Sequence, residues 1–584
     1  MISRLGSRST ERVVDGGVGL VAVLDSPTGF LVDGGGLIQG PDARWALDWW
    51  IGADDRWHLP AREPSVRQRL RGCGPIIETA VRVPSGDVVQ TVHASLVDGR
   101  AVAVVEVENQ SPVPVALAIA LRPQTLDGEP GELDVRRLSA REVVAAGYRL
   151  TLPRPANEQG YADDHDLLST VEVGGSLTWP DEPTVVGDGG FPNAVLMVPV
   201  PHRTTFRYCL GPADLAVDVD QVPGPDNVAR GWNAVVEAGG RFEFPDTGLA
   251  QLAGVARARL LLIDERPPGV DGDLGTVLAA LAESGHADRL SEWLPELIDE
   301  LLGRGGLSPA DEAGSARTAG LVDGLARALV MRGDRNDAEE ALPSLLHLTR
   351  QVEPRLWKPT RLGRSRAAAT PPEPTRHWCR AATGLAVLVQ WLGQGHAADE
   401  LRRRMAELAD RTEVSAGGGD ELLITAGGPA PTGGRVGYDE LVGWSQQANL
   451  IRRWYGPDHS IGSGPGAGLV DAAAFWRAAR HLLITERVDL AEPTIELVPG
   501  YPTAWRGGAL EVHRAATLHG PLSYAIRWHG PRPALLWDAS ECGARIICPS
   551  LDPGWSTFND RGETLLAGSA DGLVNVPAPG ESFS

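Results

Sequence analysis

The chain has 584 residues, a formal net charge of -22, and hydrophobic and charged contents of 42% and 22%. A chain of this length exceeds one core, so about three or four domains are expected, of ordinary globular composition. The acidic balance excludes nucleic acid and anionic membrane surfaces as partners, because no basic patch would outweigh that field.

In chain order, Met1 to Thr10 is polar with Arg4 and Arg8, and no apolar run follows it as in a cleaved leader. From Val13 to about Val222 the pattern has a period of two. Ile76 to Val83 and Val88 to Leu96 flank the turn Pro84-Ser-Gly-Asp87, and Ala101 to Glu108 and Val115 to Leu121 flank Asn109 to Pro112. Breaks every 8–12 residues or so predict a sandwich of antiparallel sheets. Its unusual stretch is Trp45, Asp48, Trp49 and Trp50, followed by Asp54, Asp55 and Trp57, which reads as an interface between the sandwich and the helices that follow, with a separate carbohydrate platform as the competing reading. Pro223-Gly-Pro225 reads as a linker, and Asp246 as the cap of a first helix.

From Asp246 to Arg487 the period changes to 3.6. Leu249, Leu252, Ala253, Ala256, Leu260 and Ile263 form one stripe, and Leu290, Trp293, Leu294, Leu297, Ile298 and Leu301 another. Further helices are expected from near Asp273, Pro309, Asp337, Thr375, His396, Asp439 and Ala467, paired by short turns into antiparallel hairpins. Two long irregular segments, Pro354 to Pro374 and Ser415 to Gly437, interrupt them. After Arg487 alternation returns at Thr494 to Val498, Ala509 to His513, Leu522 to Trp528 and Ala534 to Trp537. The expected fold is multidomain, β plus all-α: an N-terminal antiparallel β-sandwich (1–225), a helical domain (226–488) and a small C-terminal β domain (489–584).

The five cysteines are odd in number and scattered, which suggests reduced thiols in a cytoplasm. Cys542 and Cys548 have no zinc spacing, and His513, His519 and His529 fit no known ligand set, so no metal is expected. No run approaches the roughly 18 apolar residues of a membrane span. Gly34 to Gly36 and Gly417 to Gly419 lack the ending of a phosphate loop, and no G-x-S-x-G elbow occurs. Tryptophan, at 17 residues, outnumbers the 7 Tyr and 8 Phe together. Indole faces suit stacking on sugar rings and equally suit a core. Lys358, the single lysine, points only to a GC-rich genome.

The order of sandwich, paired helices and β tail resembles the six-hairpin glycosidases. So do the stretches Trp232, Phe242 to Asp246, Gln251 to Leu262 and Asp273 to Gly285, with Glu78 to Asp87 and Val107 to Ser111 in the sandwich. The helical domain of that group is an (α/α)6 toroid, and glucoamylase-like family 15 enzymes, trehalases and α-rhamnosidases share the plan. The resemblance implies an oligosaccharide ligand and hydrolysis by two carboxylates, without metal or cofactor. One carboxyl protonates the leaving oxygen and the other activates water; in inverting enzymes they stand roughly 6.5–9.5 Å apart. It also implies acids where the inner helices begin. Glu373, beside Arg376, His377 and Trp378, is the first choice for general acid, with Glu312 or Glu440 as partner. The competing reading of each is helix capping, since acids in a first turn favour the helix dipole. Trp357, Trp378, Trp444 and Trp454 are the candidates for stacking on substrate. The same plan without the reaction would be a degenerate scaffold that binds carbohydrate or a protein.

Overall fold

A computed structural model describes residues 18–24, 29–126, 128–131, 133–161, 167–179, 184–185, 194–262, 274–291, 294–303, 312–353, 372–412, 437–445, 467–490 and 492–568. It has N-terminal antiparallel sheets, a helical middle and C-terminal strands. The described residues fall into two compact units, one running up to Asn233 and one from Ala234 onward.

The first unit is built on two antiparallel sheets. The eight-stranded sheet centres on Ala46–Gly52, Val115–Arg122 and Ala194–Val200, and the nine-stranded one on Gly86–Val97, Arg100–Asn109 and Thr205–Pro212. They face each other. Tyr148 of the larger sheet meets Phe30 and Trp45 of the smaller edge-on, with ring centroids 6.4 and 6.1 Å apart. The other face of Ala46–Gly52 is covered too, by helix α1 (Leu167–Glu172), whose Leu167, Leu168 and Val171 pack with Trp50, Leu59 and Ala118. With both faces covered, the strand has no solvent side, and Trp45, Trp49 and Trp50 are no more than 1% exposed. Trp45 and Trp49 therefore belong to the core between the sheets, and Trp50 to the layer beneath α1. The run of glycines before them allows that packing: a Cβ on Gly36, at φ 84°, would fall 2.7 Å from the Trp49 Nε1.

The hairpin of Ile77–Val83 with Gly86–Val97 turns more tightly than the four residues Pro84 to Asp87 expected from the sequence, with Val83 opposite Gly86. The next turn behaves differently. Arg100–Asn109 stays in the nine-stranded sheet, whereas Val115–Arg122 pairs in the other sheet. The corner between them is held by Asn109, wholly buried, whose Nδ2 donates to the carbonyls of Val113 (2.8 Å) and Val200 (3.1 Å). Where the sequence suggests only a linker at Pro223 to Pro225, helix α2 (Pro225–Ala238) begins.

In the second unit, helix α3 (Thr247–Leu261) starts as expected at Asp246, whose side chain accepts the Leu249 N–H at 3.0 Å. There follow α4 (Leu274–Glu283), α5 (Leu294–Gly303), α6 (Glu312–Arg332), α7 (Arg335–Gln351), α8 (Pro372–Trp391), α9 (Gly395–Thr412), α10 (Tyr438–Ser445) and α11 (Ala467–His481). Of the stripe from Leu290, Leu290 lies in a 3-10 turn and Leu294, Leu297, Ile298 and Leu301 in α5, while Trp293 lies outside the described residues. This turn, Ala287–Ser291, precedes α5, because Pro295 has no N–H to offer Ser291 and its ring would meet that carbonyl.

Helices α6 and α7 are joined through Gly333, and α8 and α9 through Gly393; both glycines have left-handed φ, 78° and 84°, and end a helix in a tight reversal. Each pair is thus an antiparallel hairpin. Helix α4 and the first helices of these two hairpins pack side by side in the same direction. Gly275, early in α4, lies against Gly320 and Gly324 of α6, and Glu283 at its end faces Arg327 further along α6. Gly320 and Asp323 in turn lie against Arg380 and Gly384 of α8.

The unit is completed by two sheets. The strand Arg241–Glu243, which precedes the helices, is an edge of a five-stranded sheet and pairs with Leu510–Ala515. A four-stranded sheet contains one parallel pair, Thr494–Leu497 with Arg545–Cys548.

Candidate functional site

The helical hairpins fix where the candidate acids stand. Glu312 is the first residue of α6 and Glu373 the second of α8. The register set by Gly320 with Arg380 and Asp323 with Gly384, carried back along both helices, brings Glu312 level with Pro372 and Glu373. Two of the three acids therefore have their backbones at the same end of neighbouring parallel helices. Glu440 lies in the first turn of α10; it is exposed, and its Oε2 accepts the Gly437 N–H at 3.0 Å. That bond closes a cap on its own helix. The first residue of α10, Tyr438, donates to Asp246 Oδ2 at 2.9 Å and so ties α10 to the cap of α3.

Of the four tryptophans, Trp357 and Trp454 lie outside the described residues. Trp378 and Trp444 are each 2% exposed, and Trp444 packs edge-on against Phe475 at 5.2 Å. Neither offers a face to a solvent-borne sugar.

Below the helix starts, the interior is occupied by charge. Arg477 of α11 donates to both oxygens of Glu283, at 2.9 and 3.0 Å. Arg327 bonds Asp323 at 2.9 Å one turn away on α6, and Arg380 approaches the other Asp323 oxygen at 3.9 Å. Burial works to raise the Asp323 carboxyl, but the Arg327, Arg477 and Arg380 guanidiniums overcome it and hold it below the usual carboxylate value. Arg480 similarly holds the buried Glu486 through two hydrogen bonds, 3.2 and 2.6 Å. Arg257, 3% exposed, ties the end of α2 to the end of α4 by donating to Val236 O (2.6 Å), Gly240 O (2.8 Å) and Ser284 O (3.0 Å), and stacks over Trp476 at 4.9 Å. The sequence reading missed this network. Its signal was Asp323 and Arg327 at i, i+4 in an otherwise apolar stretch, beside the close-packing pair Gly320 and Gly324.

Among the described residues, the trio Glu243, Glu511 and His513 brings ligating atoms within 4.8 Å of one another. Two guanidiniums already occupy it: Arg241 on Glu243 (3.1 Å) and on the His513 Nε2 (3.0 Å), and Arg527 on Glu511 (2.7 Å). A cation would have to displace both. Also among the described residues, no helix is long and apolar enough to cross a membrane.

No protein-family model matches the chain, and no curated protein matches it. Among solved structures it is similar to an α-L-rhamnosidase from Dictyoglumus thermophilum, at 9% identity over 92% of this chain and 94% of that one, with a TM-score of 0.31. A polysaccharide lyase is similar at 10% identity over 80% and 83% of the two chains, with a TM-score of 0.16. Likeness at this level fixes neither activity nor substrate.

Proposed function

We propose that this chain is a glycoside-hydrolase-like protein whose helical unit is an (α/α)6-type toroid acting on an oligosaccharide, with Glu373 as general acid and Glu312 as its partner. The observation that carries the reading is the level placement of Glu312 and Glu373 at the starts of α6 and α8. Packed helices lie about 8–10 Å apart or closer where glycines line the contact, which suits the carboxyl separation of roughly 6.5–9.5 Å that leaves room for an attacking water. Consecutive hairpins with parallel first helices also supply the repeat from which a toroid is closed. The partner role goes to Glu312 in preference to Glu440, whose carboxylate is engaged with Gly437. Stacking falls to Trp357 and Trp454, since Trp378 and Trp444 are buried.

One observation favours the second reading, a scaffold that binds without hydrolysing. Glu283 and Asp323 on the helices and Glu486 on the strand Ile484–Glu486 are each committed to arginine, so none of the three is free to move a proton. A screen of aryl glycosides and neutral oligosaccharides with wild type, Glu373→Gln and Glu312→Gln separates the two. Hydrolysis reduced about a thousandfold in either variant, with folding retained, is the expected result. Full rate in Glu373→Gln removes the acid assignment; binding without turnover in wild type selects the scaffold.

A further inference from the structure

We infer that the N-terminal unit carries a saccharide site of its own, on the loop from Asp55 to Pro64, that takes uncharged sugar rings. It does not rest on the reading of the helical unit. A cavity of about 460 Å³ opens there, within the range of small-ligand sites, with Asp55, Arg56, Trp57, Arg62, Glu63 and Glu172 in its walls. Trp57 is the member of the tryptophan-rich stretch that the core does not swallow. It is half-buried, packed in part on the cluster of Trp50, Leu59 and Ala118 while also lining the cavity. A flat apolar surface walled by carboxylates and guanidiniums matches a pyranose, whose C–H face needs an apolar floor and whose neighbouring hydroxyls need paired acceptors and donors.

The polar walls are set before any ligand arrives. Glu63, buried to 6% exposure, is held by Arg56 and by the Nδ1 of His58 at 3.2 Å, and the Nε2 of the same imidazole holds Asp55 at 2.9 Å. Fixed groups of this kind lose little freedom on binding. Charge decides the ligand class. The Arg56 guanidinium and the His58 imidazole are already taken up by Glu63 and Asp55, which leaves Arg62 among the wall residues to meet an anion, with Glu172 also in the walls, and so disfavours phosphate, sulfate and uronic acids. A metal cation is disfavoured because Arg56 and His58 already take the oxygens of Glu63 and Asp55.

The test is calorimetric titration of the full chain carrying Glu373→Gln, so that no probe is consumed, with maltohexaose, cellohexaose, xylohexaose and chitohexaose, and with inorganic phosphate and glucuronic acid as charged controls. At least one neutral hexaose is expected to bind, and Trp57→Ala to weaken it about tenfold or more. Because Trp57 also packs, Arg62→Ala is the second variant: its exposed side chain supports no core, and it is expected to weaken binding about threefold with an unchanged melting temperature. Affinity unmoved by both variants, tighter binding of phosphate, or no neutral probe bound at about 10 mM overturns the site. The hydrolytic reading fails separately, through Glu312→Gln and Glu373→Gln turnover with Trp57-dependent binding intact.

Discussion

Burial sets what each cysteine can do. Burial pushes the thiols of Cys209, Cys379 and Cys548 up to about 12 and raises that of Cys542, whereas Cys73 is half-buried and donates to Asn233 Oδ1 at 2.9 Å. None of the five is joined in a disulfide. The nucleophile toward a disulfide reagent is the thiolate, so reactivity follows exposure and pKa. An aromatic disulfide reagent should label one thiol per native chain quickly and all five after unfolding; rapid labelling that survives Cys73→Ser would contradict the burial of the other four. The tryptophans were harder to read at this scale. Their abundance is plain in the composition, but an indole serves a core as well as a sugar. Only the covering of Ala46–Gly52 on both faces, by the opposite sheet and α1, decides for the core at Trp45, Trp49 and Trp50. Nothing in the local alternation announces a strand with two buried faces.

At the scale of elements, local chemistry was a good guide to where helices begin. Asp246 caps α3 as expected, and α7, expected from near Asp337, begins two residues earlier, where Asp334 accepts the N–H groups of Asn336 and Asp337. It was a poor guide to which helices touch, since the contact between α4 and α6 is made by glycines that carry no hydrophobic stripe. A Cβ on Gly275 would fall inside the contact distance of the Gly320 carbonyl, and a Cβ on Gly324 inside that of the Gly275 carbonyl. These are backbone atoms that cannot turn aside. Gly→Ala at an exposed helical position gains about 1 kcal/mol; Gly275→Ala, which must push α4 off α6, is expected instead to cost about 3 kcal/mol. Denaturant unfolding of the variant measures it, and an unchanged or raised midpoint would show that the two helices do not meet there. The same contact supports the level placement of Glu312 and Glu373, because α6 carries its register on to α8. A weakened α4–α6 contact is therefore a test of the scaffold beneath the proposed acids.

For the whole molecule, the order of sheets, helices and strands is visible because the apolar period changes from two to 3.6 and back. The pairing of Arg241–Glu243 with Leu510–Ala515 is not visible, since partners so far apart in sequence leave no local mark. A response to acid follows from groups in both units. Burial brings His93 of the first unit down to about 4, against the hydrogen bond from its Nε2 to the Pro223 carbonyl at 3.0 Å. Burial and then the Arg257 charge bring His286 of the second unit to about 4 as well. Each lies below the 6.5 of an unperturbed histidine, so the unfolded chain binds more protons as the pH falls. The stability held by keeping both neutral is fully present above 6.5 and is lost as the pH drops through about 4. Glu486 follows. Burial opposes its ionisation, but Arg480 outweighs burial and lowers it from 4.5 to about 2, so its contribution is present above 4.5 and fades toward 2. Urea unfolding between about pH 7.5 and pH 4.5 should therefore show a free energy that falls with pH, with an uptake approaching two protons from the histidines. His93→Gln, which keeps a donor for the Pro223 carbonyl but cannot titrate, should remove the first unit's share of that slope and leave the rest. A flat profile over this range, or a slope that His93→Gln does not change, would mean that His93 is open to water in the folded chain and that the corner at Pro223 is not closed over it.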